Sequence, residues 1–450
     1  MVKKYLLSIS TALILILSFT SCDKWIDSDL NNDPDGATEV TNSLLLSAIQ
    51  LDMGYVLGSQ DVIGTTGMWV QYSRGSARQA GIIGSYNITE SDINNLWNSM
   101  YNGGMMDTYV LLQQTAGEDG FRGYSGAAKV LMAVYLGYAT DLWGDIPYTE
   151  AFLGLENFNP AYDSQESIYA AIQSLLSEAI TELGAVSGPI ENDMIFGGSK
   201  SKWIKTAYSL KARYAIHLSS RNAAYATEAL GYIADGMASN ADDFTFWFTE
   251  TPSENSPIYQ FADQRGDVSS SVYFMGLLAN DNDPREYIFE PFSGNTRDDY
   301  AGKYYGQPAG PVELMTYTEL MYIAAEAAFA GNDDAGAKNY LKLALNSSID
   351  KYRGMDDDYD AAADAFVTAK EAEIDNATLT LEYIMMQKYV SRFLSPESYN
   401  DYRRTGYPAI TPSGIQDNVP TRYPYPTNER LYNSSTPSLT KNDKVWWDND

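Results

Sequence analysis

Apolar residues recur at spacings of three and four over much of the chain. Between 165 and 184, Ile168, Ile172, Leu175, Leu176, Ala179, Ile180 and Leu183 form one stripe, leaving Gln173, Ser177, Glu178 and Glu182 to solvent. That is the period of an amphipathic helix, and Gly184 marks its end. Stripes of the same kind run through residues 44–57, 127–142, 203–218, 314–329, 335–345 and 381–393. No comparable series of alternating strands is present. Helices of this sort bury their stripes by packing in antiparallel pairs, so the pattern predicts a mostly α-helical fold.

One pair fits a repeat. The stretch ELMYIAAEAAFAGNDDAGAKNYLKLAL reads helix, turn at Gly331-Asn332-Asp333, helix. Ala337, Leu341 and Ala344 match the small-x₃-large-x₂-small spacing of a second tetratricopeptide helix, with Ala324, Ala325 and Ala328 on the first. Residues 201–237 give a weaker pair, and 122–184 would be a third with an insertion at 143–164. The chain therefore reads as irregular tetratricopeptide-like repeats, several of which are needed to bury a continuous core. Four segments, 58–92, 143–164, 240–312 and 401–450, are rich in Gly, Asn, Asp, Pro, Ser and Tyr. They are too long to be plain connectors, and long loops on a rigid scaffold are where function sits.

The N-terminus changes the picture. Lys3 and Lys4 precede an almost wholly apolar run at 6–19, too short for a spanning helix, and small residues Thr20 and Ser21 lead to Cys22, the only cysteine. This reads as an export signal cut before a lipidated Cys22, with ordinary signal-peptidase cleavage or a free thiol as alternatives. The expected organisation is a leader at 1–21, a lipidated arm at 22–39 and a single helical domain at 40–450. In the arm, Asp27, Asp29, Asn31 and Asp33 alternate like a calcium loop. However, Asn32 and Thr38 stand where that loop needs Gly and Glu, so it reads as a solvated turn.

Charge and composition remove whole classes of activity. With 30 Lys+Arg against 59 Asp+Glu the chain carries −29, or −29 − 2 = −31 once Lys3 and Lys4 leave with the signal. Nucleic-acid binding, which rests on cationic contacts to phosphate, is not expected. One His and one Cys exclude two-His zinc motifs, cysteine clusters and an intrachain disulfide. No nucleophile elbow, phosphate loop or dinucleotide fingerprint occurs. His217 falls on the stripe of Trp203, Ala207, Leu210, Tyr214 and Leu218 and reads as a hydrogen-bonded core residue. No catalytic residue, metal or cofactor is expected. The one enzymatic alternative is a surface glycoside hydrolase using a carboxylate pair.

Aromatic surface is what the composition does supply. There are 8 Trp, 35 Tyr and 15 Phe, many of them in the polar segments. Flat rings stack on the apolar faces of sugars or on peptide side chains while nearby polar groups bind the edges. The candidate ligand residues are Trp69, Tyr72 and Arg74 in GTTGMWVQYSRGSARQ, Trp247 in DDFTFWFTE and Tyr304 in RDDYAGKYYGQ. The alternative is that such rings pin irregular segments to the scaffold. The acidic chain disfavours polyanionic glycans unless Arg74, Arg78, Arg265 or Arg297 form a basic spot.

Several stretches resemble one family. They are Cys22 after the export signal, LNNDPDGATEV, AVYLGYATDLWGDIPYTEAF at 133–152, YTELMYIAAEAAF at 317–329, YNDYRRTGYP at 399–408, VPTRYPYPTNE at 419–429 and the closing KVWWD. In order and spacing they are similar to the SusD/RagB family of nutrient-binding outer-membrane lipoproteins. The resemblance implies a SusD-like helical fold, lipid-anchored and exposed on the cell surface of a Bacteroidetes-type bacterium. It implies a partner, a SusC-like TonB-dependent transporter over which the lipoprotein sits as a lid. It also implies capture of oligosaccharides, or in some members peptides, without chemical change. A neutral glycan is the first expectation. The shared motifs look structural: GDIPY turns the chain after a helix, and Arg403 and Arg404 tie the Pro-rich terminal segment to the scaffold.

Overall fold

The computed structural model describes residues 40–290, 300–412, 416 and 418–448. The leader, Cys22, the arm up to residue 39 and Arg297 lie outside them. From Asn42 onward the chain folds as one unit. Its helices include α1 (Asn42–Leu57), α2 (Met106–Thr115), α3 (Arg122–Trp143), α4 (Gln165–Ala185), α5 (Lys200–His217) and α6 (Ala224–Ile233). Then come α7 (Tyr317–Ala330), α8 (Asp334–Asp350), α9 (Asp357–Asn376), α10 (Leu381–Ser391) and α11 (Glu397–Thr405). Their starts are written in the sequence. The side chains of Ser164, Thr316, Asp333, Asp356 and Thr380 accept backbone N–H bonds from the first turns of α4, α7, α8, α9 and α10.

Three helix pairs pack closely, and in the first the side-chain contacts at both ends show an antiparallel arrangement. Lys129 on α3 reaches Glu178 and Glu182 near the end of α4, while Gln165 at the start of α4 donates to the Thr140 carbonyl near the end of α3. Thr318 and Ser347 hydroxyls meet between the start of α7 and the end of α8 at 2.5 Å. Lys211 on α5 lies over the Tyr232 ring of α6. Gly137 lets α3 and α5 approach closely, since a Cβ there would overlap the Tyr214 phenol. The predicted segment 143–164 is indeed an insertion between α3 and α4. Within it Asp163 accepts from the Tyr148 and Thr149 amides and pins the turn after GDIPY.

Two expectations are corrected. The helical stripe from Leu314 starts too early: Pro311–Met315 is strand β4, paired antiparallel with β2 (Phe244–Trp247), and Thr316 caps the helix only after it. Residues 58–92 are not simply a loop. They hold a π-helical turn (Gln60–Gly64), short helices at Thr65–Trp69 and Arg78–Gly84, and strand β1 (Ser73–Gly75), which pairs with β3 (Val268–Ser270).

The C-terminal segment is stitched onto the scaffold. Arg403 donates to the Thr421 carbonyl at 2.9 Å and stacks over Tyr399 and Trp447, and the Tyr423 amide donates to Leu142. Arg404 instead pairs with Glu326 on α7 and with Asp401, so it joins two helices rather than the terminal segment.

Candidate functional site

The predicted ligand residues divide. Trp69 and Tyr72 are buried completely. The Trp69 indole donates to the Ile83 carbonyl at 3.0 Å and meets Tyr399 and Tyr423 edge-on. Tyr72 stacks on Tyr389 at 4.4 Å, and its hydroxyl donates to the Tyr389 carbonyl and meets Ser398 Oγ, each at 2.6 Å. Both rings therefore fix the irregular segment to the core and face no ligand. Tyr72→Phe is expected to cost about 1–2 kcal/mol of stability in urea titrations, because it strips a buried hydroxyl from its partners, and to leave ligand affinity unchanged. Arg74 is exposed on β1 and donates to Ser269 Oγ across the β1–β3 ribbon.

Trp247 and Tyr304 do come together. They meet edge-on at 5.9 Å beside a cavity of about 490 Å³ that is also lined by Lys202, Asn240, Thr245 and Lys351.

A second cavity, about 350 Å³, was not marked by aromatic residues. It lies between residues 59–83 and 257–267 and is lined by Ser59, Gln60, Asp61, Gln79, Gln260, Phe261, Gln264 and Arg265, among others. The π-helical turn at its wall widens the backbone spiral, a distortion frequent at functional sites. Gly64 makes room for the Gln60 side chain, whose carboxamide a Cβ would overlap. The Tyr300 hydroxyl donates to Gln60 Oε1 at 2.9 Å. Yet Gln60 Nε2 and the neighbouring Ser59 Oγ are buried with no hydrogen-bond partner. Such atoms are uncommon, since a buried unpaired donor costs about 1–3 kcal/mol.

Charge in this groove is distributed unevenly. Asp267 is buried and takes both oxygens' worth of hydrogen bonds from Arg78, whose Nε lies 2.8 and 2.9 Å away. Arg78 itself sits at φ 48°, a conformation that L-residues seldom adopt. Asp61 has no such cation among the described residues. Burial, reinforced by the charge of Asp92, pushes its carboxyl up to about 6. Four glutamine carboxamides, one ring and one acid unpaired among the described residues make a surface that can exchange many neutral hydrogen bonds.

Among the described residues one cluster has the composition of a cation site: Asp141, His217 and Glu397, all buried. Protein donors already fill it. Tyr169 donates to Asp141 at 2.5 Å, Asn400 to Asp141 at 3.0 Å and the Trp447 indole to Asp141 at 3.2 Å. His217 Nε2 lies 2.9 Å from Glu397. The arrangement ties α3, α5 and α11 together, and His217 is the hydrogen-bonded core residue its stripe predicted.

No helix among the described residues is long and apolar enough to cross a membrane. A family model described as SusD-like, starch-binding and associating with the outer membrane, matches residues 34–426. No curated protein matches the chain. Similar solved structures include a SusD/RagB family protein from Bacteroides thetaiotaomicron, with 23% identity, TM-score 0.76, and coverage of 91% of this chain and 99% of that one. Another is described as a chitin-binding protein, with 24% identity, TM-score 0.76, and coverage of 91% and 100%. A third is a chitin-binding SusD homolog from Flavobacterium johnsoniae, with 21% identity, TM-score 0.73, and coverage of 91% and 98%. With the motifs in order along the sequence, the helical scaffold in place and the family model spanning nearly all of it, the chain belongs to the SusD-like family of outer-membrane-associated, nutrient-binding proteins.

Proposed function

We propose that this protein captures neutral oligosaccharides in the glutamine-lined groove and passes them unchanged to a SusC-like TonB-dependent transporter, held at the cell surface by acyl chains on Cys22. The observation that carries the reading is the pair of buried, unpartnered groups, Ser59 Oγ and Gln60 Nε2, at a concave wall with four carboxamides and the Phe261 ring. Sugar hydroxyls, each both donor and acceptor, would complete these groups, and the Phe261 ring offers an apolar face. The family description names starch, and two structural neighbours are described as chitin-binding, so glucans and chitin-type oligosaccharides are the first ligands to try. Carboxamides also match peptide backbones, which keeps peptides as the alternative ligand. Binding without reaction suits a groove in which Asp267 is neutralised by Arg78, leaving Asp61 without a second free carboxylate for glycoside cleavage.

Calorimetry of the mature chain with maltoheptaose, chitohexaose and a mixture of short peptides tests this. One class should bind, and Gln60→Ala should weaken it about ten-fold, or about 1.4 kcal/mol. Prolonged incubation should return the ligand at its original length. Absence of binding by all three classes, or release of shorter sugars, would overturn the reading. Recovery of a transporter barrel with the protein from native outer membranes is the matching expectation for the partner.

A further inference from the structure

The Trp247 cavity is separate from the groove and has features of its own. Strand alternation sets it up. On β2, Phe246 turns toward α1, where a Cβ on Gly54 would overlap its ring, whereas Thr245 and Trp247 face the cavity. Trp247 is 57% exposed, while Trp69, Trp97, Trp143, Trp203 and Trp447 are all buried. The ring is left largely in water and is nevertheless held still. Its backbone lies opposite Pro311 in the β2–β4 ribbon, and its ring abuts Tyr304 at 89°. Tyr304 is wedged between Tyr305 and Tyr352 at 4.8 and 5.1 Å. A platform already fixed in place loses little entropy when a ligand settles on it.

The remaining lining supplies hydrogen-bonding groups, one of them the ammonium of Lys202. Asn240 donates through Nδ2 to the Ser347 carbonyl at 2.8 Å, but its Oδ1 is buried and has no partner. Lys202 donates one N–H to the Ala241 carbonyl and keeps further donors on the same ammonium. Lys351 is committed to Glu313 and Asp243 at 2.6 and 3.3 Å. An indole face, an unmet acceptor and an ammonium donor, in a cavity of the size that small ligands occupy, match a pyranose ring: its axial C–H face on the indole and its hydroxyls on Asn240 and Lys202.

We propose that this cavity is a second saccharide-binding site, distinct from the glutamine-lined groove. The two are neighbours: Pro311 lies opposite Trp247, and the next residue, Val312, is the closest neighbour to a Cβ on Gly58, which precedes the groove residues Ser59 and Gln60. The proposal rests on the reading of the protein as a glycan binder and adds a second attachment point for the same class of ligand.

The test uses the full mature chain in detergent with maltoheptaose and chitohexaose, alongside Trp247→Ala, Trp247→Phe and Gln60→Ala. Trp247 is exposed, so both of its variants should melt at the wild-type temperature. Calorimetry should give two sites per chain for the bound sugar in wild type and one in Trp247→Ala. Sugar should also shield the emission component that disappears in Trp247→Phe from acrylamide quenching, at least two-fold. A single site removed by Gln60→Ala and untouched by Trp247→Ala overturns the second site and leaves the glycan reading intact. A single site removed by Trp247→Ala alone overturns the two-site proposal and moves capture away from the groove. No sugar binding in any variant overturns both.

Discussion

Glu319→Ala is expected to destabilise the protein by about 3–5 kcal/mol, enough to shift the urea midpoint by a molar or more and to threaten accumulation of folded protein. The reason is where the charges are. Glu319 is 1% exposed and lies between two equally buried guanidinium groups: Arg213 donates to its oxygens at 2.6 and 2.7 Å, and Arg392 approaches to 2.8 Å. Removing the carboxylate leaves two cations in the core, with Leu314 O at 2.6 Å and Thr316 Oγ1 at 2.6 Å as their nearest compensation, and carboxylates only at longer range, Glu397 3.7 Å from Arg213 and Glu313 3.6 Å from Arg392. Breaking a buried pair costs far more than the pair is worth in net stability. A loss below 1 kcal/mol would show that the network is not holding α5, α7 and the end of α10 together.

The same network has a signed pH dependence. Burial pushes the Glu397 carboxyl up, but Arg213, His217 and Lys388 outweigh it and hold it below the ordinary glutamate range. Its contribution is therefore complete above the unfolded value near 4.5 and is lost as the pH falls toward the lower folded one. Asp141 works in the opposite sense, because burial raises it despite His217. Acid unfolding of the wild type should consequently be less steep than Glu397 alone would give.

The helical scaffold was legible because its stripes and caps are local. The stripe at 165–184 coincides with α4, Gln165–Ala185, and those at 203–218 and 335–345 fall on α5 and α8. What overrode local pattern was pairing at a distance: Leu314 continues the apolar period of α7, yet it belongs to β4 because Phe244–Trp247 lies alongside. α9 was not anticipated, since its buried residues, Tyr359, Ala363, Phe366, Lys370 and Ile374, include a small residue and a lysine and do not read as an apolar stripe. The site was harder. Aromatic rings in polar segments point to ligand contact only if they stay exposed, and Trp69 and Tyr72 do not, because the short helix at Thr65–Trp69 turns them onto α10 and α11. The groove depends on glutamines about 200 residues apart, such as Gln60 and Gln260, meeting in space. Nothing in the local sequence of either marks that meeting. The nearest signal was Arg265, named only as part of a basic spot.

Asp61→Asn should make the protein more stable and a poorer binder at once. A carboxyl raised from 3.8 to about 6 binds more protons folded than unfolded across that window, so stability falls as the pH rises through it, and the full cost is present at pH 7. The shift caps that cost at about 3 kcal/mol, and the partial exposure of Asp61 reduces it, so a gain of roughly 1–3 kcal/mol is expected for the asparagine at pH 7. The gain should shrink as the pH falls and vanish below the unfolded value of 3.8, where the carboxyl is neutral folded and unfolded, and thermal unfolding at pH 7 and near pH 3 measures it. Binding should move the other way. An ionised carboxylate accepts hydroxyl hydrogen bonds about twice as strongly as an amide, so affinity for the bound oligosaccharide should drop about ten-fold at pH 7. At pH 5, where Asp61 is mostly protonated, wild type and variant should converge. Marginal stability tolerates a carboxylate that weakens the fold when the same charge is spent on a ligand, and a groove residue that destabilises the empty protein is accounted for on those terms. If the asparagine variant were instead less stable and bound sugar unchanged, Asp61 would be part of the scaffold and the ligand would have to lie elsewhere in the molecule.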